Sequence, residues 1–341
     1  MPGDTRILFP VGFRFGVSPD LEEAREKNRQ WAGEYGIAAG AQAMALYDSW
    51  DLARVSACMY PYATGLDLQL VVDHMGFWYP FDDQFDRPLG FDPAATARAC
   101  EELITIVHHG RAGLRPRPTV VAGAFADIWE RSTKGMSPAW KARAAYHWEY
   151  YFASYAQEAA ARLQGVIPDF ETFLRLRIGV SAMSTVCDLS ERVAGYEVPA
   201  VAFHSLPLIE MRQLAEELPC LANDVYTLDR EEPRGDVVNL ILVLEKEQGC
   251  SREDAVDIAY KLVNERLRRF NELKGTIAGL GPALGLDARQ CADVERYAGA
   301  LEYLISGYMA WGIDTHRHFP QTVVPPDEPG YPEDLLVPAS E

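Results

Sequence analysis

The most aromatic segment of the chain, FWYPFDDQFDRPLG at positions 77–90, also carries three aspartates. Asp82 and Asp86 are four residues apart and would share one face of a helix, while Asp83 would be rotated by about 100°. Like charges at this spacing repel one another, and burying them without partners is costly. Because Mg²⁺ prefers carboxylate oxygens, the cluster predicts a divalent-cation site. A solvated acidic helix end is the alternative that this segment alone leaves open.

A second group of oxygen-bearing side chains occurs in NDVYTLDREE, residues 223–232. Asn223, Thr227 and Glu231 recur every fourth residue and form one stripe on a helix. The first and last lie ~12 Å apart along the axis, and the length of the glutamate and the tilt of helical side chains let both approach one ion. An amide, a hydroxyl and a carboxylate would bind Mg²⁺ and leave room for phosphate oxygens and water. An ordinary polar helix face is the alternative.

Three arginines are candidates for binding phosphate groups beside these metal sites: Arg177, Arg230 and Arg317. The guanidinium group is always charged and presents paired donors to phosphate oxygens. Any one of them alone would more often be a surface or ion-paired residue. The prediction therefore depends on all three together.

Composition argues against several other classes of function. The chain has 341 residues, is 48% hydrophobic, and carries 32 basic against 50 acidic residues, a formal net charge of −18. This charge argues against a nucleic-acid partner, and no run approaches the ~18 apolar residues of a membrane span. Six scattered cysteines without a CxxC pair predict reduced thiols. With an N-terminus unlike a signal peptide, these features predict a cytoplasmic protein.

Helical periodicity interrupted by Gly and Pro dominates the sequence, and we find neither alternating strands nor internal repeats. No linker divides residues 18–319, which predicts one all-α domain. Residues 1–17 are predicted to form an extended N-terminal segment. Residues 320–341 contain six prolines and several acidic side chains, which predicts a tail or a flap over the body.

On these motifs the chain resembles a bacterial class I terpene synthase along nearly its whole length. The family's DDxxD motif corresponds to residues 82–86. Its ND(L/I/V)x(S/T)xx(K/R)E motif corresponds to residues 223–231, and the two motifs begin 141 residues apart, from 82 to 223. The family's diphosphate-sensing arginine lies 46 residues before the second motif, at Arg177, and its helix-break positions fall on Val180 and Ser181. Ser181 replaces a common Gly, and His318 replaces the Tyr that usually follows the terminal arginine.

The resemblance implies a single-domain helical bundle around a deep apolar active-site cavity. It implies a Mg²⁺-dependent reaction that ionises a linear isoprenyl diphosphate and cyclises the resulting carbocation. Three Mg²⁺ would be held, two by the first motif and one by the second, through Asp82, Asp86, Asn223, Thr227 and Glu231. The diphosphate would be bound by Arg177, Arg230 and Arg317. The catalytic residues at the reacting end would be Arg177, Val180 and Ser181.

The same resemblance implies an apolar cavity wall, with candidates Met75, Trp78, Tyr79, Ser184 and Trp311. Family frequency favours farnesyl diphosphate and a sesquiterpene product, with geranylgeranyl diphosphate as the second choice. A chain-elongating prenyltransferase would carry a second aspartate-rich motif in place of the Asn-Thr-Glu stripe. Intact ligands at both motifs argue against a non-catalytic helical scaffold. Because family members often form dimers, the resemblance leaves both a monomer and a homodimer as alternatives.

Overall fold

The computed structural model describes residues 12–319 and 330–338, and within them every regular element is helical. This confirms the predicted all-α bundle. The helices are α1 Leu21–Glu34, α2 Ala41–Trp50, α3 Leu52–Met59, α4 Gly65–Asp82, α5 Pro93–His109, α6 Val120–Thr133, α7 Pro138–Gln164, α8 Phe170–Val180, α9 Met183–Ala194, α10 Ala200–Phe203, α11 Leu206–Glu231, α12 Leu240–Gln248, α13 Arg252–Lys274, α14 Ile277–Ala283 and α15 Ala288–Gly312. Short 3₁₀ turns follow α4, α5 and α11.

Helix α4 runs through the centre of the bundle. Every residue from Leu68 to Trp78 is buried, because the helix is apolar on all sides and packs against α1, α3, α6 and α9. Phe77 and Phe81 stack at a centroid distance of 5.3 Å and contact a further aromatic group on α6 and α7. The aromatic residues before the aspartates therefore anchor the end of α4 in the core.

Local signals set the ends of the other helices that surround the cavity. Ser137 caps α7 by accepting a hydrogen bond from the Trp140 amide, and Asp169 caps α8 in the same way. Asp287 opens α15 with a full capping box. Helix α11 packs against α8, α9, α13 and α15. These contacts bring α4, α8, α9, α11 and α15 to one cavity.

The described part of the C-terminal segment, residues 330–338, packs on the body near the end of α4. Tyr331 is fully buried and donates its hydroxyl hydrogen to the carbonyl oxygen of Ile37 at 2.7 Å. Arg87, just after the aspartate-rich segment, donates to the carbonyl oxygens of Tyr331 and Glu333 at 2.6 and 2.7 Å. The predicted boundaries at 17 and 319 stay predictions, and residues 1–11, 320–329 and 339–341 lie outside the described residues.

Candidate active site

The predicted helix break after Arg177 is present in the structure. Helix α8 ends at Val180, and Ala182 takes a left-handed conformation with φ 60° before α9 begins. The Ser181 hydroxyl donates to the Ile178 carbonyl at 2.8 Å and accepts from the Met183 amide at 3.2 Å, so serine stabilises both sides of the break. Val180 and Ser181 both line the central cavity.

The aspartate-rich segment differs from the continuous helix that its spacing suggests. Helix α4 ends at Asp82, and residues 83–86 form a 3₁₀ turn, so the argument that Asp82 and Asp86 share an α-helical face is wrong. Both nevertheless line the cavity, Asp82 from the last residue of α4 and Asp86 from the end of the turn that follows it. Asp83 instead is 3% exposed and accepts from Arg317 Nη2 at 2.7 Å.

Each cavity-facing aspartate already has a cationic or hydroxyl partner. Asp82 accepts from the Tyr155 hydroxyl at 3.0 Å and from Arg317 at 3.4 Å, and Asp86 accepts from Arg234 at 2.8 Å. Burial raises the pKa of Asp82, and burial together with the neighbouring Asp83 charge raises the pKa of Asp86 to about 6. The site therefore concentrates negative charge that a bound cation would stabilise.

The second motif lies across the cavity on α11. The Asn223 amide oxygen accepts from Arg177 Nη2 at 2.7 Å and from the Thr227 hydroxyl at 3.3 Å. One Glu231 oxygen accepts from Asn239 at 3.2 Å. Asn223 and Glu231 line the cavity, whereas Thr227 is 1% exposed and is not brought to its surface.

Arg177 also forms a largely buried ion pair at the site. Its Nε donates to Asp224 Oδ1 at 2.7 Å, and the other carboxylate oxygen accepts from the Leu240 amide at 2.8 Å. Asp224 is fully buried, and this burial outweighs the arginine charge, so its pKa is raised to about 7. The pair orients Arg177 toward the cavity mouth beside Asn223.

All three predicted diphosphate-binding arginines, Arg177, Arg230 and Arg317, line the cavity. Arg317 reaches it from the chain after α15 and lies over the rings of Trp50 and Tyr79, at 4.6 and 4.7 Å from their centroids. Arginines from three separate segments thus meet at one mouth. Such a cluster fits a multiply charged anion.

Below the polar mouth the cavity is apolar. The lining side chains include the predicted Met75, Trp78 and Tyr79, together with Met59, Val180, Met183, Val186, Pro219 and Tyr308. The cavity and the open solvent at its mouth together occupy about 1000 Å³ of space between protein atoms. The structure thus places an apolar surface next to the charged groups.

Two predicted wall residues do not reach this surface. Trp311 is fully buried behind Tyr79, at a centroid distance of 5.5 Å, and its indole N–H donates to the Trp50 carbonyl at 2.8 Å. Ser184 is 8% exposed and engages Glu216 on α11 rather than lining the cavity. Trp311 thus supports the wall from behind Tyr79, whereas Ser184 interacts with α11.

Sequence reasoning missed a charged group that joins the two motifs. Arg162, on α7, donates to the Phe85 carbonyl within the aspartate-rich turn at 3.2 Å and to Asp236 after α11 at 3.1 Å. Glu158 also lines the cavity and pairs with Arg162 at 3.3 Å, and burial raises its pKa to about 8. Arg234, which holds Asp86, completes the group. No local sequence pattern indicates these residues, because Arg162 resembles any basic residue in the last turn of a helix.

The donor set at the mouth fits a hard divalent cation. Carboxylate, amide and hydroxyl oxygens face one another across the cavity mouth or lie just behind it, which is the ligand chemistry of Mg²⁺. Within residues 12–319 and 330–338, no three His, Cys, Asp or Glu side chains cluster as a metal site. The two half-sites instead combine carboxylates with an asparagine and a threonine. In the same part of the chain, no helix combines the length and apolarity needed to cross a membrane.

Comparison with known proteins identifies the family. A family model described as "Terpene synthase family 2, C-terminal metal binding" matches residues 73–269. Pristinol synthase of Streptomyces pristinaespiralis is 33% identical over 92% of this chain and 84% of its own length. The (−)-β-caryophyllene synthase of Saccharothrix espanaensis, described as cyclising (2E,6E)-farnesyl diphosphate, is 34% identical over 97% of this chain and 94% of its own.

The fold agrees with a solved relative. The crystal structure of germacradien-4-ol synthase from Streptomyces citricolor superposes with a TM-score of 0.81, at 33% identity, over 89% of this chain and 96% of that one. The matched family region contains both oxygen-rich motifs and Arg177. The chain therefore belongs to the bacterial class I terpene synthases, which are metal-binding lyases acting on isoprenyl diphosphates.

Proposed function

We propose that this enzyme ionises farnesyl diphosphate with three Mg²⁺ bound at its two motifs and cyclises the carbocation to a sesquiterpene. One observation carries the proposal: two oxygen clusters and three arginines converge on the mouth of a cavity whose deeper wall is apolar and aromatic. Charged groups at the mouth suit the diphosphate, and the apolar interior suits the hydrocarbon chain. Substrate polarity thus matches the cavity from end to end.

The roles of the mouth residues follow from charge. Asp82 and Asp86 would hold two Mg²⁺, and Asn223, Thr227 and Glu231 a third. The bound ions would stabilise the negative charge that develops on the leaving diphosphate. Arg177, Arg230 and Arg317 would bind its oxygens and keep it in place after the C–O bond breaks.

The helix break would act at the reacting carbon. Val180 is the last residue of α8, so its carbonyl oxygen lies beyond the hydrogen bonds of that helix. The Tyr155 hydroxyl is 3.5 Å from this oxygen, but its single hydrogen is donated to Asp82 at 3.0 Å. Directed into the cavity that Val180 lines, this carbonyl oxygen would present partial negative charge to the allylic cation as it forms. Ser181 would maintain this orientation through its two hydrogen bonds on either side of the break.

The wall must keep the cation from water, which would otherwise quench it to an alcohol. Trp78, Tyr79 and Tyr308 present aromatic surface to the cavity. Ring faces stabilise a nearby cation by about 0.5–2 kcal/mol each. Met75 supplies apolar surface beside them. The same wall would decide how the chain folds before ring closure.

Relatives support the choice of substrate. The Saccharothrix relative is described as acting on farnesyl diphosphate, and it covers nearly the whole of both chains. The geranylgeranyl alternative is not favoured by these names. We also propose that the enzyme works in the cytoplasm, where its cysteines stay reduced. All six are free in the structure, and four are buried.

The direct test is incubation of the purified protein with Mg²⁺ and, separately, geranyl, farnesyl and geranylgeranyl diphosphates. Gas chromatography–mass spectrometry should show a cyclic sesquiterpene from farnesyl diphosphate that disappears with EDTA. Asp82→Asn should abolish it. Asp48→Asn, which alters an exposed ion pair with Arg29, should not. Products only from another chain length, or longer diphosphates formed with isopentenyl diphosphate, would contradict the proposal.

A further inference from the structure

His318 is the departure from the family pattern that the site description leaves without a role. The residue lies directly after Arg317 and is 5% exposed. It does not line the cavity. Instead, its Nε2 lies 3.0 Å from the side-chain nitrogen of Asn223, and its Nδ1 lies 2.8 Å from the Gly312 carbonyl oxygen. It therefore contacts a predicted metal ligand from behind.

The hydrogen-bond chain allows only one assignment of donors. A carbonyl oxygen can only accept, so Nδ1 of His318 carries the hydrogen and donates to Gly312. In the neutral ring Nε2 is then an acceptor, and the Asn223 side-chain NH₂ must donate to it. The same NH₂ donates its second hydrogen to the Tyr308 hydroxyl at 2.9 Å. Both amide hydrogens of Asn223 are thereby used.

The opposite side of the amide gives the same orientation independently. An arginine can only donate, so the Asn223 atom that lies 2.7 Å from Arg177 Nη2 must be the oxygen. Rotating the amide by 180° would place its NH₂ against the arginine and its oxygen against the acceptor Nε2 of His318. Partners on both sides exclude that rotamer.

We propose that His318 is a positioning residue that fixes the amide of Asn223 so that its oxygen, rather than its nitrogen, faces the metal. The inference rests on the proposed metal-binding role of Asn223. Without the His318 acceptor, one amide hydrogen of Asn223 would be left unpaired, and the preference for the orientation whose oxygen can bind Mg²⁺ would be weaker. An amide that is already fixed in this orientation loses less conformational entropy when the metal binds. Outer contacts of this kind commonly change metal affinity by 10–100-fold.

Packing keeps the imidazole in place for this role. The Trp311 ring packs at a centroid distance of 5.1 Å in an edge arrangement, and the Tyr226 ring stacks at 5.8 Å. A side-chain carbon on Gly312 would come within 3.3 Å of the ring, so glycine permits the close approach to the carbonyl. Because Arg177 fixes the amide oxygen, the Asn223 NH₂ faces Nε2, which therefore accepts and carries no hydrogen.

The test measures metal affinity without catalysis. Thermal unfolding of the purified enzyme is followed while Mg²⁺ is titrated with inorganic diphosphate present, and the midpoint concentration is recorded. His318→Phe keeps the ring but removes the acceptor and should raise this midpoint about tenfold. His318→Gln retains an acceptor near Nε2 and should stay within about threefold of wild type. Should the phenylalanine variant not fold, Tyr308→Phe removes the other acceptor and should also raise the midpoint.

His74 provides a matched control. Like His318 it is a buried histidine that does not line the cavity. Its Nδ1 lies 2.8 Å from the Leu70 carbonyl oxygen, and its Nε2 lies 3.1 Å from the Ser132 hydroxyl. His74→Phe should lower the unfolding temperature but leave the Mg²⁺ midpoint unchanged.

Two contrary results are distinguishable. If Mg²⁺ stabilises the wild-type enzyme and both His318→Phe and Tyr308→Phe keep the same Mg²⁺ midpoint, the positioning role alone is overturned. A wild-type enzyme that shows no Mg²⁺-dependent stabilisation would overturn the proposed metal site and this inference with it.

Discussion

Arg177 serves both stability and chemistry, and the two can be separated. Its ion pair with Asp224 places a side chain that is 16% exposed against one that is fully buried. Arg177→Met would leave the Asp224 carboxylate buried, with the Leu240 amide as its remaining partner among the described hydrogen bonds. Removing one member of a buried pair typically costs about 3–5 kcal/mol. Unfolding entropy scales with the 341 residues, so this loss corresponds to a fall in melting temperature of about 4–7 °C.

A second substitution, at Asp224, shows how much of the lost stability comes from the unpaired buried charge. Asp224→Asn removes the charge that Arg177→Met leaves unpaired, so the double variant should be more stable than the sum of the single losses predicts. Activity should behave differently. Without the guanidinium, farnesyl diphosphate turnover should fall by at least about 100-fold in both the single and the double variant.

The assays are urea unfolding followed by circular dichroism and initial rates of diphosphate release. Arg54→Met is the matched control, because Arg54 forms a surface pair with Asp314 through two hydrogen bonds. It should cost at most about 1 kcal/mol and leave turnover unchanged. Additive stability losses, or activity recovered in the double variant, would refute the reasoning.

Two further predictions concern other parts of the fold. Burial lowers the pKa of His147, but the Asp188 carboxylate at 2.7 Å outweighs it, so the pKa is raised. Its stabilisation is then complete below pH ~6.5 and is lost as pH rises through the folded pKa. His147→Gln should lower the free energy of unfolding by about 1.5–3 kcal/mol at pH 6 and by less at pH 9. The same change at the exposed His108 should lower it by under about 0.5 kcal/mol at either pH. Equal losses of stability for His147→Gln at both pH values in thermal unfolding would contradict this prediction. A side-chain carbon on Gly90 would overlap the Phe85 carbonyl in the aspartate-rich turn, so Gly90→Ala should lower stability by more than about 2 kcal/mol and reduce turnover. A side-chain carbon on Gly123 would meet no atom within 4 Å, so Gly123→Ala should stabilise the protein by about 0.5–1 kcal/mol. Equal denaturation midpoints for the two alanine variants would refute the argument that Gly90 permits a close backbone contact.

Features that depend on residues a few positions apart, or on a family motif, could be predicted from the sequence. The described chain is helical, α8 ends at Val180, and Arg177, Arg230 and Arg317 line the cavity. Each depends on residue type at a spacing of a few positions, or on a family motif. The metal and diphosphate roles themselves stay predictions until a ligand is bound.

Contacts between distant segments could not be predicted. Arg162 joins Phe85 and Asp236 across separations of 77 and 74 residues, and no local pattern indicates either contact. Trp311 illustrates the related problem of depth, since one layer of neighbouring rings decides whether an aromatic residue lines a cavity or supports its wall. The 3₁₀ turn after Asp82 likewise depends on tertiary packing.

We expect the two motifs to form one diphosphate-dependent metal site. A crystal structure with Mg²⁺ and farnesyl thiolodiphosphate, which resists ionisation, would show whether they do. We predict three Mg²⁺, bound about 2.0–2.1 Å from oxygens of the aspartate-rich turn and of the Asn223 stripe, with the diphosphate between them and the chain inside the cavity. A diphosphate bound elsewhere, or metal at one motif only, would contradict the account.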